Sequence, residues 1–431
     1  MANYGEYKSY AVLGFESIPS EWHLKKIKYL FSIGRGRVIS QEELVDDGLY
    51  PVFSSQTQNN GCLGFINTYD FDCDQLTWTT DGANAGTIFI RSGKHNCTNV
   101  CGTLQSRNGS VNLRYSYYSL QYATQFHKRP DTNGAKIMNN EMAEISIAEP
   151  SSFEQSKIVN FLDYETAKID SLIEKQQKLI ELLKEKRQAV ISHAVTKGLN
   201  PDVPMKDSGN IWARQIPTHW KLTKLTYIAK VGNGATPARD NEKYWKDGTV
   251  GWLNSSKVND VIITQADQFI TPLAKSQTSV QVVQPNDLVM AITGEGQTRG
   301  RVAICQLDAT INQHLASIRI VDKNLYHEFL FYWLTANYER IRYESTGAGS
   351  TKGAITCGDI GLFPVPVPPY AEQLEIVSQI KKQSLMFKQL MEKSESAIQL
   401  MQERRTALIS SAVTGKIDVR HWQNPQQDLA V

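Results

Sequence analysis

One stretch of this chain occurs twice, and it limits the fold more than any other feature. Residues 153–199 begin FEQSKIVNFLDYETAKIDSLIEKQ, and residues 371–417 begin AEQLEIVSQIKKQSLMFKQLMEKS. The copies align without a gap: Glu154 falls on Glu372 and Arg187 on Arg405, each pair 218 residues apart. Identity over this length marks an internal duplication. In each copy apolar residues return every seventh position, as Leu162, Ile169, Leu183 and Val190, then as Ile380, Phe387, Met401 and Leu408. Neither run contains Gly or Pro, and Glu, Lys, Gln and Leu are good helix formers. Pro150 and Pro368–Pro369 precede the runs, while Gly198 and Gly415 close them, as helix punctuation expects. At about 1.5 Å per residue, about forty residues make a rod of roughly 60 Å. Such a rod is too long for an ordinary globular helix and too polar to span a membrane.

A heptad stripe needs a partner helix, and the nearest candidate is the other copy. The competing reading is two unrelated surface helices. Both stripes are interrupted at the same point, by Gln176 in one and Ser394 in the other. In an antiparallel pair these two residues would meet near mid-rod and fix the register, with Ile169 near Met401 and Leu183 near Phe387. Exposed polar positions are the alternative.

A weaker echo precedes each rod. Ile18-Pro19-Ser20-Glu21-Trp22 matches Ile216-Pro217-Thr218-His219-Trp220, here with an offset of 198 residues. Each Pro-x-x-Trp turn is expected to lead into a short helix, over 24–31 and 222–229. The order is therefore globular domain, rod, globular domain, rod. The boundaries fall at 1–150, 151–198, 199–367 and 368–418, with a tail over 419–431 expected to be disordered at its end. A Pro-, Asp- and Gly-rich linker, 198–209, joins the first rod to the second domain.

Inside each domain short strand-like runs alternate with turns, over 62–66, 76–80, 86–91, 100–104 and 143–147, then 251–253, 288–292, 301–304, 316–320 and 362–367. Aromatic-rich helical patterns lie at 111–122 and 326–338. This is an α+β pattern. A chain of 431 residues holds two or three such domains, and a net charge of +2 restricts any nucleic-acid contact to local patches. No N-terminal basic-plus-apolar signal and no apolar run of spanning length is present, so a soluble cytoplasmic protein is expected. The six cysteines, Cys62, Cys73, Cys97, Cys101, Cys305 and Cys357, are then expected to be free. Zinc at Cys97, Cys101, His95 and Cys73 is a minor alternative, because no paired C-x-x-C knuckle exists. No metal site is expected.

No catalytic signature is complete. Pro368-Pro369-Tyr370 resembles the Asn-Pro-Pro-Tyr loop of adenine methyltransferases, but Val367 stands where the amide is needed. Residues 347–353, GAGSTKG, lack the order of a nucleotide-binding P-loop. They fit a loop that offers Ser350, Thr351 and Lys352 to a DNA phosphate, or a plain surface loop. Other polar, turn-rich stretches are suited to reading base edges. The first domain offers Gln56, Gln58, Asn59, Asn60, Thr80, Asn84, Lys128 and Arg129. The second offers Asn254, Ser255, Lys257, Gln297, Thr298, Arg299, Arg301, Gln313 and His314. Asn and Gln pair bidentately with adenine and Arg with guanine, while Lys and Ser hold phosphates. Each stretch taken alone is more often an ordinary solvated loop, and 312–314 also reads as a buried polar cluster between strands.

With the rods, the Pro-x-x-Trp starts, the linker Pro204-Met205-Lys206-Asp207-Ser208-Gly209 and the ending Gly415-Lys416-Ile417-Asp418-Val419-Arg420, the chain resembles the DNA-specificity subunit of type I restriction–modification enzymes over nearly its whole length. The resemblance implies two α/β target-recognition domains separated by two long antiparallel coiled-coil helices, in a pseudo-twofold repeat. Each domain would read one half of a split site in double-stranded DNA. The rods would set the spacing and dock two methyltransferase subunits, with restriction and translocase subunits joining them. S-adenosylmethionine, ATP and magnesium would belong to those partners, and this chain would hold no cofactor and carry out no catalysis. The contrasting reading is a structural coiled-coil adaptor whose end domains bind proteins.

Overall fold

The computed structural model describes residues 3–132, 134–294, 296–345 and 353–425. The chain divides into two units, Met1–Gln177 with Glu395–Val431, and Lys178–Ser394. Both have the same plan, an α+β domain with a piece of each long helix packed against it.

In the first unit one antiparallel sheet runs in the order Ile88–Arg91, Gln75–Thr79, Cys101–Ser106, Phe31–Arg35. A second runs Cys62–Ile66, Tyr50–Phe53, Lys94–Cys97, Phe71–Asp72. Its central pair, Tyr50–Phe53 and Lys94–Cys97, is parallel. In the second unit the larger sheet runs Ala229–Asn233, Leu315–Ile320, Leu288–Ala291, Val302–Cys305, Ile262–Ile263. The smaller runs Gln268–Ile270, Val250–Leu253, Ala309–Ile311, Gln281–Val283, again around a parallel pair. Aromatic helices, Leu113–Ala123 and His327–Ala336, cover one face of the larger sheets and bury Tyr115, Tyr118, Phe329 and Trp333.

The expected rods are two uninterrupted helices, Ser152–Lys197 and Tyr370–Val413, of 46 and 44 residues. Within the first unit the start of one lies beside the end of the other. Ile158, Phe161 and Leu162 share a core with Ile409, Ala412 and Val413, and Arg405 donates to Asp170 at 2.9 Å. Within the second unit Ile191, Ala194 and Val195 share a core with Ile376, Val377 and Ile380. The helices therefore run antiparallel inside each unit. Leu162, Ile169, Ile380 and Phe387 of the heptad stripe are buried, and the stripe's value lies in this burial, because apolar area removed from water contributes about 25 cal/mol per Å².

The segment after each Pro-x-x-Trp turn is not the expected helix. His23–Lys26 and Lys221–Lys224 are strands, followed by single turns, Ile27–Leu30 and Leu225–Tyr227. They pair antiparallel with Ser146–Glu149 and Pro364–Val367, the strands that lead straight into the long helices. Backbone pairing with a partner more than a hundred residues away overrides local helical periodicity. The same pairing shortens two expected strands, since Asn139–Glu144 and Cys357–Leu362 are helical up to the residue or two before each strand.

Both tryptophans then close the unit. Trp22 and Trp220 are at most 1 % exposed. The Trp22 indole N–H donates to Glu154 at 3.1 Å, and that of Trp220 to Glu372 at 3.1 Å, so each tryptophan is tied to the first turn of a long helix. The glycine ending the other helix sits against the same ring. Gly415 and Gly198 have φ of +69° and +78°, where a side chain is strained, and a Cβ there would stand 3.2 Å from Trp22 and 3.3 Å from Trp220. The repeated Glu-Gln pair has a second use in Gln373. Its amide is fully buried and joins Asn324 and Pro368 carbonyls at 2.7 and 2.9 Å.

Candidate nucleic-acid interface

The sheet registers bring the polar loops of each unit to one rim. In the second unit Leu253 and Ile311 pair in parallel, so the segments after them, beginning at Asn254 and Asn312, leave side by side. The antiparallel neighbours turn at the same end, where Asn233 pairs with Ala316 and Ala291 with Leu315. Residues 234–236, 254–257, 292–294, 296–301 and 312–314 therefore share the rim. Crossing it requires Gly234, whose Cβ would fall 2.0 Å from the Asn312 carbonyl oxygen. Gly36 crosses the first unit's rim in the same way, 2.0 Å from the Cys97 carbonyl.

Hydrogen bonds tie the second rim together. Thr293 Oγ1 and His314 Nδ1 are 2.7 Å apart, and Thr236 donates to Gln313. Arg301 donates to Asn259 at 2.7 Å and to Gln297 at 3.1 Å, while Tyr338 and Arg342 hold the carbonyls of Gln297 and Gly296. Gln297, Gln313 and His314 are exposed, and Ser255, Thr298 and Arg301 half-buried. Asn254 caps the turn that follows it through Ser256. Asn312 is buried, so the polar cluster expected at 312–314 divides between core and rim.

Two sequence candidates here are buried. Lys257 is 6 % exposed and lies between Asp260 at 2.7 Å and Asp267 at 3.3 Å, where hydrogen bonding to Asp260 raises its pKa. Arg299 is 5 % exposed, and its Nε has no hydrogen-bond partner among the described residues. Ser350, Thr351 and Lys352 lie outside the described residues.

In the first unit the corresponding rim carries Gln58, Asn59 and Asn60, all exposed, on a tight turn, Gln58–Gly61. Gln56 folds back, its amide donating to the Cys62 carbonyl. Asn84 is exposed on the neighbouring turn. A three-stranded sheet, Arg129–Asp131, Gly134–Lys136, Asp81–Gly82, carries that turn beside Lys128 and Arg129. Arg129 is paired with Glu141 at 2.5 Å, leaving Lys128 exposed over Gly86. Thr80 is fully buried and donates to the Val100 carbonyl, so the fold consumes its hydroxyl. Of the residues proposed for helix register, Gln176 is half-buried in the first unit and Ser394 buried in the second.

Sequence reading missed two cations near these rims. Arg239 lies 3.7 Å from the Trp245 ring and 4.7 Å from Trp252, cation–π contacts that hold an exposed guanidinium beside the two rings. The aromatic spacing Trp245, Trp252 was a usable signal for it. Arg91 is 2 % exposed, and burial pushes its pKa down to about 10, so it remains cationic at neutral pH. Nothing in the local sequence marks Arg91, since a strand-terminal Arg is ordinarily a surface residue. His95 beside it has a depressed pKa through burial, with Nε2 2.8 Å from Gln75 and Nδ1 2.8 Å from the Gly93 carbonyl. All six cysteines are free, and no cluster of three or more metal ligands occurs among the described residues. No described helix is long and apolar enough to cross a membrane.

The model of the type I restriction modification DNA specificity domain matches the chain twice, over residues 19–182 and 217–400. A Mycoplasma pneumoniae protein named as a type I specificity subunit, S.MpnORF507P, is 41 % identical over 138 residues, 32 % of this chain and 38 % of that relative. The specificity subunit of the type I restriction enzyme MpnII from the same organism is 33 % identical over 138 residues, 32 % of this chain and 42 % of its own length. The matched stretch thus spans less than half of either relative. Among solved structures, a chain from a structure of the type I R-M system aligns with a TM-score of 0.69 at 13 % identity, covering 93 % of this chain and 99 % of that one. The HsdS subunit from Thermoanaerobacter tengcongensis aligns with a TM-score of 0.53 at 14 % identity, covering 93 % and 98 %. At such identities the likeness concerns the fold.

Proposed function

This chain belongs to the type I restriction–modification DNA specificity family, and from that premise we propose that it is the sequence-recognition subunit of a type I complex, each domain reading one half of a bipartite site in double-stranded DNA. The observation that carries the reading is the pair of equivalent rims, the first collecting exposed Asn and Gln side chains and the second exposed Gln and His beside the half-buried Arg301, each at one end of a sheet. Gln58, Asn59 and Asn60 on one rim, and Gln297, Arg301, Gln313 and His314 on the other, have the donor and acceptor pattern that distinguishes base pairs in the major groove. Lys128 and Arg239 are placed to meet phosphate, which positions the protein without specifying sequence.

The long helices supply the separation between half-sites and a docking surface for two adenine methyltransferase subunits, with restriction and translocase subunits outside them. This chain acts without catalysis. S-adenosylmethionine, ATP and magnesium belong to the partners, which share the task of holding DNA with a chain of net charge +2. The test is a DNA shift assay with the chain and its methyltransferase partner at moderate salt. Selective retention of one bipartite sequence supports the reading, and equal retention of all sequences contradicts it.

A further inference from the structure

The two units differ most where their sheets face each other. In the second unit this space is mostly apolar, filled by Leu253, Val283, Val289, Ala303, Cys305 and Ile311, with the buried Asp287 ion-paired to Arg319 at 2.6 Å. In the first it holds buried Gln75, Thr77, Arg91, His95 and Thr103. The registers make the places equivalent. Leu104 pairs with Leu76 as Ile318 pairs with Leu288, so Gln75 corresponds to Asp287, and Arg91, paired with Gln75, corresponds to Cys305, whose N–H donates to the Asp287 carbonyl. A guanidinium thus stands where the sister unit has a small apolar side chain.

Arg91 has no carboxylate partner among the described residues. Its Cζ lies 3.6 Å from the Phe53 ring centroid and 4.4 Å from that of Phe89. Nε donates to Thr77 Oγ1 at 3.2 Å, Nη1 donates to the Asn60 carbonyl at 2.7 Å, and Nη2 has no hydrogen-bond partner among the described residues. A buried, unpaired cation is costly, and an apolar side chain of similar volume would fill this space at lower free energy. What it supplies that an apolar chain cannot is a pair of bonds, one to Thr77 on its own sheet and one to the Asn60 carbonyl on the turn.

That carbonyl belongs to an unusual backbone. Asn59, Asn60 and Gly61 take φ of +48°, +52° and +77° in succession, and left-handed conformations strain the two asparagines. A Cβ on Gly61 would approach Arg91 Nη2 to 2.9 Å, so the turn is seated directly on the guanidinium. The remaining anchors are the Ser54 N–H to the Gly61 carbonyl at 2.9 Å and the folded-back Gln56 amide.

We propose that Arg91 is the positioning residue of the first recognition rim: from between the two sheets it holds the left-handed turn that presents Gln58, Asn59 and Asn60, and so determines how stringently the first half-site is read. This rests on the DNA-recognition reading above. Arg91 touches no base itself, and the second domain, with Cys305 in its place, sets its rim by other means.

The test compares Arg91→Met, which keeps the volume and removes the donors, with Arg91→Lys, which keeps a charged donor, in the full-length chain. Backbone amide exchange in the free protein is the first readout. Arg91→Met should speed exchange over residues 54–61 by about ten-fold while leaving 75–79 and 101–106 unchanged, and Arg91→Lys should stay near wild type. The second readout is the motif methylated by the reassembled complex. Arg91→Met should relax one half of the motif by about ten-fold in discrimination and leave the other half as a folded internal control. Unchanged exchange over 54–61, or faster exchange with an unaltered motif, overturns the proposal. A wild-type complex with no sequence selectivity would instead overturn the DNA-recognition reading, while the exchange measurement still decides whether Arg91 holds the turn.

Discussion

The Trp22 indole N–H donates to the buried Glu154 carboxylate at 3.1 Å, and the same bond recurs between Trp220 and Glu372 at 3.1 Å. One tryptophan per unit thereby joins the start of one long helix, the end of the other and the recognition domain. Removing the Glu154 carboxylate leaves the indole N–H and the Ser151 N–H and hydroxyl without their acceptor. Glu154→Ala should therefore cost about 2 kcal/mol by urea unfolding. Arg405→Ala, which breaks a partly exposed pair with Asp170, should cost no more than about 1 kcal/mol. Equal costs would mean that the clamp is no more than a surface contact.

The two helix-ending glycines should respond unequally. A Cβ at Gly415 meets Pro19 at 2.4 Å, whereas one at Gly198 finds nothing nearer than the Glu372 carboxylate at 3.2 Å. Both substitutions to Ala strain a left-handed φ, but Gly415→Ala should lower the unfolding free energy by about 2 kcal/mol and Gly198→Ala by about 1 kcal/mol. The reverse order in thermal or urea unfolding would refute this packing.

Much of this architecture was legible because it is local or repeated. Heptads, Pro before the helices, Gly after them and the Glu-Gln pair need only short-range rules. The strand His23–Lys26 was not, because its partner Ser146–Glu149 is distant in sequence and decides its conformation. The candidate rims were found as loops, but Thr80 and Lys257 look in sequence like any surface polar residue. Only packing against Val100, and against Asp260 and Asp267, reveals that they support the fold. Arg91 lay beyond sequence reading for the same reason, since its neighbours come from both sheets.

Acid should reveal the Glu144 contacts. Lys26 and Lys28 each reach its carboxylate at 2.6 Å, and these bonds lower its pKa from 4.5 to about 2. A depressed carboxyl pKa contributes stability above the unfolded value and loses it as pH falls through the folded one. The small stability difference between wild type and Glu144→Gln should be complete above pH 4.5, decline below it and vanish near pH 2. A difference that grows on acidification would contradict this.

Phosphate and base contacts should separate by salt. Lys128→Ala should weaken DNA binding for every sequence and reduce the log–log salt slope by roughly 0.9. Arg301→Ala should instead relax discrimination within one half-site by about 1–3 kcal/mol. Fluorescence anisotropy across a salt series, with matched and mismatched duplexes, reads both. Unchanged binding in both variants would remove these rims from the interface.

The independence of the two domains is tested most directly by replacing residues 210–367 with the equivalent domain of a relative and mapping methylated adenines in a host that carries the partner methyltransferase. One half of the bipartite motif should change, with the other half and the spacing retained. A motif that changes in both halves, or in neither, would contradict the account.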